Sequence, residues 1–266
     1  MSRLPEPEDR EWLLASLADL LSRTRRGPFL DAPLIEATDQ WFPDPWTGDP
    51  EGVGAICVRL LDYAGLEQLR VRVEVAPERP RWGGVVGAMA EHREGPPAWF
   101  AGIEEGICHI GCTRDDLGEP EVLVAHLGHE VAHAWRRSHG LEVPDRDVEE
   151  RLTDLSTVYL GFGLFTVNAS WRDRSWSDGS VQWTRRSESG YLSAPQMSFL
   201  LAAQAVAREL GWWDRRWIAR RLEANQAGFF RAAVRHLIRP RGCLRWRLGL
   251  PSDYAPPEVD LDQLLG

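Results

Sequence analysis

Residues 125–137 read AHLGHEVAHAWRR, and their pattern decides how this part of the chain folds. Apolar residues recur at helical spacing through this stretch and just before it. Pro120 suits the first turn of a helix, and Gly140 suits the position just after its end. The sequence therefore predicts one long helix from Pro120 to about Ser138.

The same helix carries a candidate metal site. His129 and His133 are four residues apart. At that spacing their Cβ atoms lie about 5–6 Å apart on one helix face, so both imidazoles can bind one ion. Glu130 lies one step round the helix, where it can reach a water on the ion without binding the ion. This HExxH arrangement is typical of zinc hydrolases, so we expect Zn²⁺ as cofactor and Glu130 as general base.

A catalytic zinc ion needs a third protein ligand and one open position. After the turn at 140–144, a second helix running back along the first would bring its early turns towards the histidines. Glu150 and Asp154 share a face of that helix, so Glu150 could bind the metal while Asp154 orients a ligand imidazole. Glu149 is the alternative ligand if the helix is rotated, although only Glu150 has an aspartate four residues later.

HExxH followed by Glu150 and Asp154 resembles the HExxH…ExxxD plan of the gluzincin metallopeptidases, over roughly residues 100–165. The resemblance implies a zincin-like core that cleaves a peptide or protein substrate, with Glu130 as the base. The zinc ligands it implies are His129, His133 and Glu150. It also implies a Tyr or His that stabilises the oxyanion. Tyr191 is the preferred residue among four candidates, which are Tyr191, Tyr159, His236 and His139.

Strand patterns lie upstream of the HExxH helix. Apolar residues at 69, 71, 73 and 75 alternate with charged ones, which predicts a half-buried strand that ends at Pro77. Further strands are expected at 85–90 and 106–112. The segment 106–112 is the expected edge strand, to which a substrate could add. Cys108, His109 and Cys112 resemble half of a structural zinc site, but alternation of buried residues along a strand is the favoured interpretation.

The whole pattern predicts an α+β fold that is mostly helical, with a small sheet beside the HExxH helix and a C-terminal helical bundle. Helices are expected from Asp9, over 53–63, from Asp145 or Asp147 to 165, over 194–210 and over 214–238. Four segments result: an N-terminal helix and irregular linker (1–50), a zincin-like core (51–168), a polar loop and possible lid (169–190), and a C-terminal helical region (191–266).

Composition excludes several classes of function. The net charge of −9 argues against general nucleic-acid binding, although the segment 211–248 is rich in arginine. No apolar run is long enough to span a membrane, and the polar N-terminus favours a cytoplasmic protein with reduced, buried cysteines. We therefore expect a peptide or protein partner, neither nucleic acid nor membrane, and the sequence does not indicate an oligomeric state.

Two other functions fit the same motif. The first is a regulatory or adaptor protein whose gluzincin core binds zinc without efficient cleavage, using the arginine-rich C-terminal helices for interaction. The intact Glu130 argues against it. The second is a metal-dependent hydrolase that acts on a non-peptide amide or ester.

Overall fold

Helices form most of the structure, a computed structural model that describes residues 4–77, 81–82, 93–94, 97–170, 172–177, 182–187 and 191–253. The N-terminal helices are α1 (Pro7–Arg23), α2 (Gly27–Asp31) and α3 (Pro50–Tyr63). Helix α1 buries the leucine stripe that the sequence predicts, namely Leu13, Leu14, Leu17, Leu20 and Leu21. Asp49 caps the start of helix α3, because its carboxylate accepts two backbone N–H groups, and Gly65 with φ +69° follows the end of the helix.

A three-stranded sheet lies before the HExxH segment. Its members are β1 (Arg70–Ala76), β4 (Ala98–Glu104) and β5 (Ile107–Thr113), in the order β1-β5-β4. β1 runs parallel to β5, and β4 runs antiparallel to it. Two short strands, β2 (Arg81–Trp82) and β3 (Arg93–Glu94), pair separately. The strand expected at 85–90 lies outside the described residues.

The sheet corrects one prediction. Strand β5 is central, so the prediction that 106–112 forms an edge strand is wrong. The edge next to the HExxH helix is β4, whose alternation is hidden in the sequence by a bulge between Phe100 and Gly102. Cys108, Ile110 and Cys112 are buried in strand β5, which confirms the interpretation of this segment as a strand with alternating buried residues.

All four cysteines are free thiols. Cys57, Cys108 and Cys112 are buried, and Cys243 is partly exposed. Burial raises the pKa of Cys108 to about 12. The buried thiols therefore act as small apolar side chains of the core.

The HExxH segment lies in α4 (Pro120–Ser138), as predicted, and Gly140 with φ +63° follows its end. Asp145 caps the next helix, α5 (Arg146–Tyr159), because its carboxylate accepts the N–H of Val148. The prediction that this helix continues to residue 165 is wrong. It ends at Tyr159, before Gly161, and a separate helix, α6 (Gly163–Ala169), follows.

Residues 170–190, predicted as a polar loop, contain two paired antiparallel strands, β6 (Arg172–Ser177) and β7 (Gln182–Ser187). The sequence signal for this hairpin is the Asp178-Gly179 pair between the two runs, a dipeptide favoured in hairpin turns. The pairing places backbone groups of the two runs in register, from Arg172 with Ser187 to Ser177 with Gln182. The expectation of an unpaired loop is therefore wrong for these strands.

The C-terminal helices are α7 (Ala194–Ala207), α8 (Trp212–Arg221), α9 (Ala224–Ile238) and α10 (Arg241–Arg247). The single helix predicted over 214–238 is divided, because the backbone is extended at Leu222 and Glu223. Asn168 of α6 bonds to both sides of this break: its amide donates to the carbonyl of Arg221 and its oxygen accepts the N–H of Glu223.

The described residues form a mixed α+β fold with one continuous cluster of buried apolar side chains, contributed by α1, α3, the sheet, α4–α6 and α7–α10. Helix α4 contacts α3, β4, α5 and α6. The HExxH helix is therefore fixed on several sides. Among the described helices, none is both long enough and apolar enough to cross a membrane.

Candidate metal centre

Three side chains from α4 and α5 converge on one point. The Nε2 atoms of His129 and His133 each lie 3.1 Å from the same carboxylate oxygen, Oε2 of Glu150. The possible ligand atoms of these three residues all lie within 4.8 Å of one another. The HExxH spacing provides the two imidazoles from one helix face, and the antiparallel return of α5 provides the carboxylate.

The spacing of these atoms fits a small divalent cation. Zinc binds imidazole nitrogen and carboxylate oxygen at about 2.0–2.2 Å, so two ligands of a tetrahedral ion are about 3.3 Å apart. The contacts of 3.1 Å between the histidines and Glu150 are within a few tenths of an ångström of that separation. These three residues could therefore hold a metal ion with small side-chain adjustments.

Both imidazoles are oriented by a partner on α5. Nδ1 of His129 lies 2.8 Å from Oδ1 of Asp154, and Nδ1 of His133 lies 3.2 Å from Oγ1 of Thr153. The Thr153 hydroxyl donates to the carbonyl of Glu149, so its oxygen is available to accept from His133. When each Nδ1–H is donated to these oxygens, a deprotonated Nε2 would direct its lone pair towards a metal ion in the cluster.

Asp154 has a second function in the fold. Its other oxygen, Oδ2, accepts the backbone N–H groups of Tyr191 and Leu192 at 2.7 and 2.8 Å. The carboxylate is almost completely buried, and these contacts satisfy both of its oxygens. One side chain thus connects a candidate metal ligand to the backbone just before α7.

The two neighbouring glutamates on α5 have different surroundings. Glu149 forms a bidentate pair with the buried guanidinium of Arg136, with both N···O distances 2.8 Å, and it accepts the N–H of Val143. Burial alone would raise the pKa of Glu149, but Arg136 and Val143 hold it below its usual value. Of the two ligands that the sequence left open, the structure brings Glu150 to the histidines and Glu149 to Arg136.

The charges in the cluster favour a cation at its centre. Burial opposes ionisation of Glu150, but hydrogen bonds from His129 and His133 outweigh it and lower its pKa to about 2. Burial also opposes protonation of His129, but Asp154 and Glu150 outweigh it and raise the pKa of His129. Positive charge between these side chains is therefore stabilised by the surrounding carboxylates.

Glu130 lies beside the cluster without belonging to the converging set. Its side chain is buried, and the backbone N–H of Phe100 in β4 donates to its carboxylate. Burial raises the pKa of Glu130, and this effect outweighs that of the nearby histidines, which lower the pKa. The ring of Phe100 also stacks on His133, with centroids 6.3 Å apart. Strand β4 therefore contacts both Glu130 and a candidate ligand, His133.

A cavity of about 330 Å³ opens over these residues. Its walls are Pro97 and residues 98–100 of β4, the cluster on α4 and α5, the end of α6 and Met197 of α7. Tyr191, about half exposed, lies on this wall. Most of the lining beyond the charged cluster is apolar, which suits a substrate that buries side chains.

Of the four residues considered for the oxyanion, Tyr191 is the one that the structure places in the cavity lining. The hydroxyl of Tyr159 donates to the carbonyl of Arg25, within the core. His139 contacts the carbonyl of Trp135 at the end of α4, and His236 lies near Arg10.

Sequence reasoning missed a residue on the cavity rim, Arg146. It occupies the first position of α5, four residues before Glu150, and its Nε lies 3.8 Å from Oε1 of that glutamate. The spacing of four residues between Arg146 and Glu150 is visible in the sequence. What the sequence does not show is that Arg146 shares the cavity with Tyr191, since 45 residues separate them in the chain.

The converging ligand atoms of His129, His133 and Glu150 are the feature of this chain that bears most directly on its function. Comparisons of the chain with models of protein families, with curated proteins and with solved structures found no match.

Proposed function

We propose that this chain is a zinc-dependent hydrolase of the gluzincin type, a metallopeptidase with a zincin-like core. The observation that carries the proposal is the convergence of two Nε2 atoms, from His129 and His133, on one carboxylate oxygen of Glu150. Two imidazoles and one carboxylate form the ligand set of several catalytic zinc sites and leave a coordination position open. When bound there, zinc would polarise a substrate carbonyl and acidify a water molecule.

Glu130 is the proposed general base. It is adjacent to His129 on α4, lines the same cavity, and does not belong to the converging ligand set. The N–H of Phe100 holds its carboxylate in place, and burial raises its pKa towards the range in which a carboxylate exchanges protons efficiently near neutral pH. Glu130 would accept a proton from the attacking water and return it to the leaving amine.

Tyr191 is the proposed oxyanion-stabilising residue. Its ring lies on the cavity wall, and Asp154 fixes its backbone through the N–H contact of 2.7 Å. A phenol hydroxyl held near the ligands can donate to the oxygen on which negative charge develops.

Strand β4 supports a peptide as the substrate. Within the described part of the chain, β4 pairs with β5 on one side, and its other side borders the cavity through Phe100 and its neighbours. An extended peptide can add to such an edge through backbone hydrogen bonds, which fixes its scissile bond next to a site on the neighbouring helix.

The proposal is tested by incubating the zinc-loaded protein and the Glu130→Gln variant with a diverse peptide pool and identifying products by mass spectrometry. We expect cleavage by the wild type and a rate about 10²–10⁴-fold lower for Glu130→Gln, because that variant lacks the base. The zinc content of Glu130→Gln, measured on the same samples, should equal that of the wild type. This control separates loss of the base from loss of the site.

Two results would contradict a peptidase. If wild type and Glu130→Gln both carry zinc and neither cleaves any peptide, the adaptor function is supported instead. If non-peptide amides or esters are hydrolysed by the wild type and not by Glu130→Gln, while peptides remain intact, the chain is a hydrolase of another specificity.

A further inference from the structure

The cavity over the cluster has a single guanidinium on its described lining, that of Arg146. The other titratable side chains that face the metal cluster are the carboxyl groups of Glu130, Glu150 and Asp154 and the imidazoles of His129 and His133. Arg146 is therefore the side chain of this lining whose planar fork of N–H donors can pair with both oxygens of a carboxylate.

Arg146 approaches the cluster from the side opposite to the histidines. Its Nε lies 3.8 Å from Oε1 of Glu150, whereas Oε2 of that glutamate contacts both imidazoles. The guanidinium is mostly exposed, and the hydroxyl of Tyr191 lies within hydrogen-bonding reach of it. A pair of donors, one cationic and one neutral, thus flanks the proposed metal position.

The charge state of Glu150 decides whether a nearby carboxylate compensates the positive charge of Arg146. Among the described residues, Glu150 holds the carboxylate that lies within 4 Å of the guanidinium, although 3.8 Å is too long for a strong ion pair. A divalent cation held by Glu150 would neutralise that carboxylate, and within the described part of the chain no other carboxylate lies within 4 Å of the guanidinium at the cavity rim. Such a group binds carboxylates well, because its planar fork of N–H donors matches their two oxygens.

We propose that the guanidinium of Arg146 binds a carboxylate of the substrate next to the scissile bond, so that the preferred substrates are acidic at that position. This inference rests on the proposed hydrolase function. The carboxylate has two possible sources, the C-terminus of a peptide or the side chain of an Asp or Glu residue. Arg146 is a specificity-determining residue in either case.

The experiment compares three synthetic peptide pools: one with free C-termini, the same pool amidated, and a pool in which Asn and Gln replace Asp and Glu. Products of the zinc-loaded wild type are mapped by mass spectrometry. Loss of cleavage on amidation identifies the C-terminal carboxylate as the bound group, and loss in the Asn/Gln pool identifies an acidic side chain.

The variants Arg146→Gln and Arg146→Lys identify the residue responsible. For a carboxylate-bearing substrate, Arg146→Gln should lower kcat/KM about 10–100-fold, mainly through KM, because it removes charge-assisted hydrogen bonds. Arg146→Lys should recover part of the loss, since it keeps the charge without the fork. Arg151→Gln is the matched control on the same helix, because Arg151 pairs with Asp9 and Trp12 away from the cavity.

A binding measurement provides a readout independent of turnover. Zinc-loaded Glu130→Gln should bind a cleaved peptide about 10–100-fold more tightly as the carboxylate form than as the matching amide, and Arg146→Gln in that background should remove the difference. Equal cleavage of all three pools, with Arg146→Gln unaffected, would overturn the carboxylate site and leave the hydrolase intact. Absence of cleavage in every pool by the wild type would overturn both.

Discussion

At the residue scale, Asp154 determines how the candidate site is held together. Its Oδ1 contacts Nδ1 of His129, and its Oδ2 accepts the backbone N–H groups of Tyr191 and Leu192. The orientation of a proposed metal ligand and the position of a proposed oxyanion donor therefore depend on one buried carboxylate. An aspartate is required because all three partners are donors, whereas an asparagine has one acceptor oxygen and one donor nitrogen.

Asp154→Asn tests this arrangement. The amide nitrogen must face either His129 or the two backbone N–H groups, so buried donors oppose each other. We expect the free energy of unfolding to fall by about 1–3 kcal/mol and zinc affinity to fall about 10–100-fold, measured by thermal melting and by zinc titration. Asp147→Asn, an exposed change on the same helix, should alter both little. Unchanged zinc affinity in Asp154→Asn would remove Asp154 from the support of the site.

The different partners of Glu149 and Glu150 show how much of a site the residue types alone can predict. Adjacent residues of a helix point about 100° apart, so the rotation of α5 against α4 decides which glutamate meets the histidines. The aspartate at i+4 favours Glu150 in the sequence, and the structure brings Glu150 to the histidines. The partner of Glu149, Arg136, follows from tertiary packing that no local pattern shows.

At the element scale, the break between α5 and α6 shapes the site. Gly161 has φ +90°, and a Cβ there would lie 2.5 Å from the carbonyl oxygen of Pro33. The N–H of Ile35 also donates to the carbonyl of Gly161, so the chain after α2 packs directly on this turn. Helix α6 begins after this turn, and its end at Ala169 and Ser170 forms part of the cavity wall.

Gly161→Ala should therefore destabilise the protein, by about 2–4 kcal/mol, because it combines a left-handed backbone with a steric clash. Gly228→Ala is the matched control: Gly228 lies in α9, and nothing lies within 4 Å of a Cβ placed there. That change should stabilise the protein by about 0.5–1 kcal/mol, since alanine restricts the unfolded chain. Urea denaturation measures both, and equal effects of the two changes would contradict the proposed basis of the break.

Elements with a regular hydrophobic periodicity could be predicted from the sequence. Elements whose periodicity is interrupted, or whose boundary the periodicity does not mark, could not. The alternation around β1 and the helical periodicity of α4 predict both correctly. Strand β4 was missed because its bulge at Phe100–Gly102 breaks the alternation, and the α5–α6 break was missed because a helical pattern continues across Gly161. In each case a long-range contact overrides the local preference of the chain.

At the scale of the whole molecule, the site lies where the sheet, the HExxH helix and the C-terminal helices meet. Helix α4 packs on β4, α5 and α6, and α5 packs on α7. These elements share one apolar core, so the candidate ligand atoms are positioned by the entire fold rather than by one loop. A cation that binds the folded state and not the unfolded chain would stabilise the whole domain through linkage.

The most direct test of the metal site is the zinc content of three purified proteins: wild type, Glu150→Gln and Glu149→Gln. We expect one zinc per chain in the wild type and in folded Glu149→Gln, which loses stability because the charge of Arg136 is left unpaired. We expect zinc to be lost from Glu150→Gln, although that protein remains folded. Full zinc occupancy in Glu150→Gln, or its loss from folded Glu149→Gln alone, would contradict the assignment of His129, His133 and Glu150 as the metal ligands.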